Sequence, residues 1–118
     1  MNASNMDDYA VVVADRAGNI QFWSRGAEKM LGHTAHDMVG RKLDAIVPET
    51  YREQHWAGFN RAMEAGAAAM EGQSFDLPAQ HRDGAVLVCP ATFVLVRDGA
   101  KKTVGAMAIL AAPAVTPG

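Results

Sequence analysis

Hydrophobic and polar positions change their period along the chain, and the change divides the chain into three parts. Apolar residues are concentrated in residues 9–14 and 20–23, a pattern typical of short strands, and residues 15–19 have the composition of a hairpin turn. From residue 24 to 66, apolar positions recur every three or four residues, as they do on helices. The later segments 73–80, 85–96 and 103–110 are again typical of strands. The pattern predicts two strands, several short helices and three further strands.

Capping residues indicate where the first two predicted helices begin. Ser24 is placed as the N-cap of a helix over residues 25–31, and Gly32 follows at the position favoured for a C-terminal cap. Thr34 and Asp37 have the spacing of a second N-terminal cap, so a brief helical turn is expected after residue 34.

The longest helix is predicted over residues 48–66. Pro48 is favoured in a first helical turn, and Thr50 and Glu53 have the spacing of a capping box. Gly66 stands where a C-terminal cap is expected. We therefore expect a helix that begins near Pro48 and ends at Gly66.

One face of this helix is apolar except for a histidine. Spacings of three and four residues place on that face Tyr51, His55, Phe59, Ala62 and Met63. A histidine on an inward face is either a hydrogen-bonded core residue or a metal ligand. From the residues alone, both interpretations stay open.

The order of the elements predicts an α+β fold, with short helices packed on one face of a five-stranded antiparallel sheet. We expect the domain to span residues 9–111, with flexible ends at residues 1–8 and 112–118. On the strand over residues 85–96 both faces are apolar, and the second face carries Val86, Val88, Thr92, Val94 and Val96. Because antiparallel sheets usually leave one face polar, we expect this face to be covered in a homodimer.

Composition excludes several classes of function. The chain has 118 residues, a formal net charge of −2 and no basic block, which gives no electrostatic support for binding nucleic acid. It has no long apolar run that predicts a membrane span, and its single cysteine fits a reducing cytoplasm. Paired carboxylates in an apolar context, nucleophile elbows and phosphate-binding glycine loops are all missing, so we do not expect an enzyme.

Five segments, at residues 15–23, 27–32, 38–41, 46–49 and 82–84, occur in an order and at spacings that resemble the PAS domain family. The resemblance covers nearly the whole chain. It implies a sensory or interaction module that holds a cofactor or small ligand between sheet and helices. A flavin-adduct photoreceptor is not expected, because the only thiol, Cys89, lies in a predicted strand.

Residues 48–55 resemble the haem-binding PAS domains of bacterial oxygen-sensor kinases. The resemblance implies that haem b is the cofactor, that His55 is the proximal iron ligand, and that Arg61 lies near the haem propionates. Phe75 stands where oxygen-sensing members carry an arginine. The haem-binding residues expected from the resemblance and the strand pattern are His55, Arg61, Tyr51, Phe59, Met70, Gln73, Phe75, Ala91 and Phe93. Met70, Cys89 and Met107 are alternative distal iron ligands.

These observations predict a cytoplasmic sensory domain that responds to oxygen, carbon monoxide, nitric oxide or redox state, and that acts on a downstream signalling protein. The alternative is a PAS module without haem that binds a small apolar ligand or only a protein partner. A haem protein that transfers electrons is a third possibility, and it requires stable six-fold coordination of the iron.

Overall fold

A computed structural model describes residues 6–113, and its sheet contains all five predicted strands. The strands are β1 (Tyr9–Asp15), β2 (Ile20–Trp23), β3 (Phe75–Gln80), β4 (Val86–Arg97) and β5 (Thr103–Ala111). They are antiparallel and lie in the order β2-β1-β5-β4-β3. The predicted α+β fold class is therefore confirmed.

The predicted flexible ends fall largely on residues 1–5 and 114–118, which lie outside the described part of the chain. Met6–Asp8 forms a 3-10 turn, and one carboxylate oxygen of Asp7 lies 3.4 Å from Lys29 Nζ. Regular secondary structure therefore includes residues 6–8, and the flexibility of the two ends stays a prediction.

The two faces of the sheet differ in what covers them. On the inner face of β4, Cys89, Ala91 and Leu95 are buried beneath the helices. On the outer face, Val86 and Val88 are 49% and 53% exposed. Side chains alternate between the faces of a strand, so the predicted split of β4 into two apolar faces is confirmed.

Two short helices cover β1 and β2. They are α1 (Arg25–Leu31) and α2 (Ala35–Met38). The hydroxyl oxygen of Ser24 accepts hydrogen bonds from the N–H groups of Ala27 (3.1 Å) and Val11 (2.9 Å), so it caps α1 and fastens the helix to β1. Gly26 allows close packing there, because a Cβ at this position would overlap the carbonyl oxygen of Tyr9.

The third helix, α3 (Arg52–Ala65), begins later than predicted. A 3-10 turn over Glu49–Tyr51 precedes it, and no side chain caps its N-terminus, so the predicted capping box of Thr50 and Glu53 is wrong. Gly66 ends the helix as predicted, with a φ of 69° and its N–H bonded to the carbonyl of Ala62.

The core has two parts. The α1 cluster contains Ala10, Val12, Ile20, Trp23, Ala27, Leu31, Met38, Ile46, Ala79, Cys89, Ala91 and Leu110. The α3 cluster contains Ala62, Met63 and Leu95, with Phe59, Ala68, Phe93 and Ala106 packed around them. Phe75 packs on the first cluster and Phe93 on the second, and their rings meet edge to face at 6.0 Å. This aromatic pair joins the two parts of the core.

Candidate functional site

His55 lies in the first half of α3, and its imidazole is half-buried among aromatic rings. Its ring centroid lies 5.0 Å from that of Trp56 and 5.9 Å from that of Phe59. Nδ1 is fully enclosed and has no hydrogen-bond partner within residues 6–113. A buried polar atom without a partner is costly, so one in a folded protein calls for a physical explanation such as a bound ion or ligand.

Burial also sets the charge of His55. It lowers the pKa of the imidazole, and the carboxylate of Asp44 opposes this effect only in part. The ring is therefore neutral at neutral pH, which is the form that binds a metal ion. An apolar setting, a neutral imidazole and an unpartnered nitrogen together fit an iron ligand.

Trp56 is a site residue that the sequence pattern did not reveal. Its indole N–H donates a hydrogen bond to Oδ1 of Asp44. The six-membered ring covers Gly18 in the β1–β2 turn, where a Cβ would overlap it. Trp56 therefore fastens the first half of α3 to the turn between β1 and β2.

The remaining predicted residues of α3 lie in different surroundings. Phe59 is half-buried and packs in the α3 cluster, as expected for a residue that lines an inner site. Arg61 is exposed and makes no side-chain hydrogen bond or ion pair with any residue from 6 to 113. Tyr51 is 44% exposed on the 3-10 turn that precedes α3, so its predicted place on the apolar face of the helix is wrong.

Three of the predicted residues form one apolar wall on the inner face of β3 and β4. Ala91 is buried on the inner face of β4, and Phe93 lies two residues further along the same face. Phe75 on β3 pairs with Ala91 in the sheet and meets the ring of Phe93. This wall contains no side-chain hydrogen-bond donor.

Met70 and Gln73 are not part of this wall. Both lie in residues 66–74, which we call the α3–β3 loop, and Met70 is 42% exposed. Gln73 is exposed and donates its side-chain amide to the carbonyl of Ala69 at 3.3 Å. The strand predicted over residues 73–80 therefore begins two residues later, at Phe75, and Gln73 lies outside it.

The other two candidate distal ligands lie apart from each other. Cys89 is buried in the α1 cluster with Sγ 4.0 Å from Sδ of Met30, and burial raises the pKa of its thiol. Met107 pairs with Val94 and Val13 on the outer face of the sheet. Strand alternation directs Met107 away from α3, so it does not reach the side of the sheet on which His55 lies.

A hollow of about 340 Å³ lies beside Trp56 and is lined by Ala17, Lys42, Asp44, Trp56 and Asn60. None of these residues belongs to the inner face of β4, so this hollow is not the pocket predicted between helices and sheet. In the described part of the chain, no three metal-binding side chains cluster, and no helix is long and apolar enough to cross a membrane.

The chain is similar to known proteins over nearly its whole length. The sequence profile of the PAS fold matches residues 5–111. An uncharacterized protein of Azorhizobium caulinodans is 32% identical over 79% of the chain, and the oxygen sensor protein DosP of Escherichia coli is 27% identical over 62%. The chain spans 13% and 9% of the lengths of these relatives.

Solved structures agree with the fold. The PAS domain of the quorum-sensing receptor RpfR of Cronobacter turicensis, in complex with BDSF, is 14% identical with a TM-score of 0.68. The match covers 98% of this chain and all of that one. At this identity, the likeness concerns the fold alone.

Proposed function

The chain belongs to the PAS fold family, and from this premise we propose that it is a sensory domain that binds haem b through His55 and responds to a diatomic gas or to redox state. The observation that carries the proposal is the enclosed, unpartnered Nδ1 of a neutral imidazole on α3. The similarity to DosP, which is named as an oxygen sensor, supports a diatomic gas as the signal.

The loose packing of α3 supports a ligand beneath this helix. Of its fourteen residues only Ala62 and Met63 are buried, and both lie near its C-terminal end. A helix that packs directly on a sheet usually buries a continuous stripe along its length. The half-buried His55 and Phe59 extend such a stripe without completing it, which leaves apolar surface for a flat ligand to cover.

The chain's own residues take defined roles in this proposal. His55 is the iron ligand, and the free guanidinium of Arg61 is the partner for a haem propionate. Phe59, Phe75, Ala91 and Phe93 supply apolar surface on either side. Haem, when bound, supplies the iron at which a gas or an electron is received. We assign the chain no catalytic step, and we propose that it works in the cytoplasm.

The test is a titration of the apoprotein with hemin, followed by the absorption spectrum. Wild type is expected to take up one equivalent with a sharp Soret band, and His55→Ala is expected to lose this uptake while it keeps its circular dichroism spectrum. His36→Ala is the matched control, because His36 is exposed on α2. Equal uptake by the His55→Ala variant would exclude His55 as the essential ligand.

A second candidate is a module that binds a small apolar ligand instead of haem. The open α3 cluster favours it, because only three of its seven members are buried. The ligand-bound RpfR domain shares the fold and supports the same idea. Stabilisation by 1-decanol in a thermal shift assay, with no uptake of hemin, would favour this second function.

We also propose that the outer face of the sheet carries the partner contact. Val86 and Val88 are about half exposed, and Val94 and Val96 are half-buried on the same face. The expected partners are a second copy of the chain and a downstream signalling protein.

A further inference from the structure

The edge of β4 continues beyond the end of β3 without a strand beside it. Pairing between the two strands stops at Phe75 and Ala91, whereas β4 runs on to Arg97. Unpaired N–H and C=O groups on a strand edge need other partners. The N–H and C=O groups on this part of the β4 edge therefore need hydrogen-bond partners from another segment of the chain.

The α3–β3 loop supplies those partners. The N–H of Gly72 donates to the carbonyl of Phe93 at 2.9 Å. The N–H of Leu95 donates to a carboxylate oxygen of Glu71 at 2.8 Å. A side chain thus replaces the backbone acceptor that a neighbouring strand would offer to Leu95.

Arg97 holds Glu71 in this position. Its Nη1 and Nη2 atoms lie 3.2 Å and 3.1 Å from the two carboxylate oxygens of Glu71, and Nη2 also donates to the carbonyl of Gly66 at 3.0 Å. Hydrogen bonds from Arg97 and from the N–H of Leu95 hold the pKa of Glu71 below its ordinary value. One guanidinium thereby connects the end of α3, the loop and the end of β4.

The loop also covers part of the apolar core. Ala68 packs against the α3 cluster, which includes the buried Leu95 and the half-buried Phe93. Movement of the loop away from β4 removes this cover and frees the C-terminal end of α3. Glu71 opposes that movement most directly, because its carboxylate accepts hydrogen bonds from the backbone N–H of Leu95 and from the side chain of Arg97, both on β4.

We propose that Glu71 and Arg97 form a latch that keeps the α3–β3 loop closed, and that its release is the route by which a ligand reaches the α3 cluster. The second half of this inference rests on the proposed function. The first half concerns the protein without ligand and has its own test.

The latch is tested by hydrogen exchange of the Leu95 amide, measured by NMR on the apoprotein. We expect Glu71→Ala to speed this exchange about tenfold or more, because the amide loses its charged acceptor. Glu71→Gln keeps an acceptor oxygen and should show a smaller effect. Lys102→Gln is the control, since Lys102 is exposed and outside the latch. Unchanged exchange of Leu95 in Glu71→Ala, with the amides of β1 still protected, would overturn the latch.

The route is tested by stopped-flow uptake of hemin. Glu71→Ala and Arg97→Gln are expected to take it up about tenfold faster than wild type, since each removes charge-assisted bonds that hold the loop. Equal rates in all variants would overturn this route even if Leu95 exchanges faster. If wild type takes up no hemin, the proposed function and the route fail together, whereas the exchange of Leu95 still decides the latch.

Discussion

Replacing Trp56 with phenylalanine probes how α3 is fastened to Asp44 and to the turn between β1 and β2. The change removes the indole N–H that donates to the half-buried carboxylate of Asp44, and it shortens the ring that covers Gly18. A hydrogen bond to a charged group contributes about 1.5–3 kcal/mol. The lost apolar contact adds about 0.5–1 kcal/mol. We therefore expect Trp56→Phe to lower the free energy of unfolding by about 2–4 kcal/mol, a large part of the about 5–15 kcal/mol typical of a domain.

Urea denaturation gives the magnitude, and a double-mutant cycle with Asp44→Asn isolates the hydrogen bond. Residues in direct contact show interaction energies of about 0.5–3 kcal/mol, so we expect the two changes to be less than additive by at least about 1 kcal/mol. Trp23→Phe is the control partner, because Trp23 donates to the carbonyl of His33 instead. Its effect should add to that of Asp44→Asn within about 0.5 kcal/mol. An additive result for Trp56 would refute the view that it fastens α3 through Asp44.

Two further predictions concern the outer face and the pH dependence of stability. Val94→Glu is expected to convert a homodimer to monomer in light scattering, because a charge in an apolar interface is costly to desolvate. Ala57→Glu, on the exposed surface of α3, is the control and should leave the dimer intact. A monomeric wild type would contradict the proposed dimer. Burial and the guanidinium groups of Arg82 and Arg41 lower the pKa of His33, so the unfolded chain binds its proton first as the pH falls below about 6.5. Stability from His33 is therefore complete above that pH and is lost as the pH falls further, so His33→Gln should reduce the slope of unfolding free energy against pH in this range. An unchanged slope would contradict this.

Features that depend on a few neighbouring residues, such as helix caps and strand patterns, account for most of the fold that could be predicted from the sequence. Ser24 marks the start of α1 and Gly32 marks its end, as predicted, because a helix cap depends on residues within one helical turn. The start of α3 was predicted wrongly, because Thr50 became part of a 3-10 turn instead of a cap. Beside that turn, the side chain of Arg52 donates to the carbonyl of Val47 at 3.0 Å, a bond that residue spacing does not reveal.

The candidate site was only partly predictable, because several contacts that define it join distant residues. His55 could be found from its spacing on one helical face. Trp56 could not, since its partners Asp44 and Gly18 come from other elements. Gln73 was misplaced because the path of its loop is set by Glu71 and Arg97, which are 26 residues apart in sequence.

The apolar wall of Phe75, Ala91 and Phe93 leads to a prediction about which gas is preferred, conditional on haem. Phe75 and Phe93 meet edge to face, and neither offers a hydrogen-bond donor. Gln73, the other candidate donor, is exposed and bonded to the carbonyl of Ala69. Dioxygen is a ligand that gains from a donor at its outer atom, whereas carbon monoxide gains little. A missing charge-assisted hydrogen bond costs about 1.5–3 kcal/mol, which corresponds to an affinity about ten to a hundred times lower.

We therefore expect the haem-loaded protein to bind carbon monoxide well and dioxygen weakly. Phe75→Arg should restore a donor and slow the dissociation of dioxygen, because Phe75 is only half-buried and a longer polar side chain can extend there. Gln73→Leu is the control, and it should leave dissociation unchanged because Gln73 lies in the loop. Stopped-flow measurement of dissociation on the three proteins decides the matter. Slow dissociation in wild type that becomes fast in Gln73→Leu would mean that the loop turns inward and supplies the donor, and the apolar wall would not determine which gas is bound.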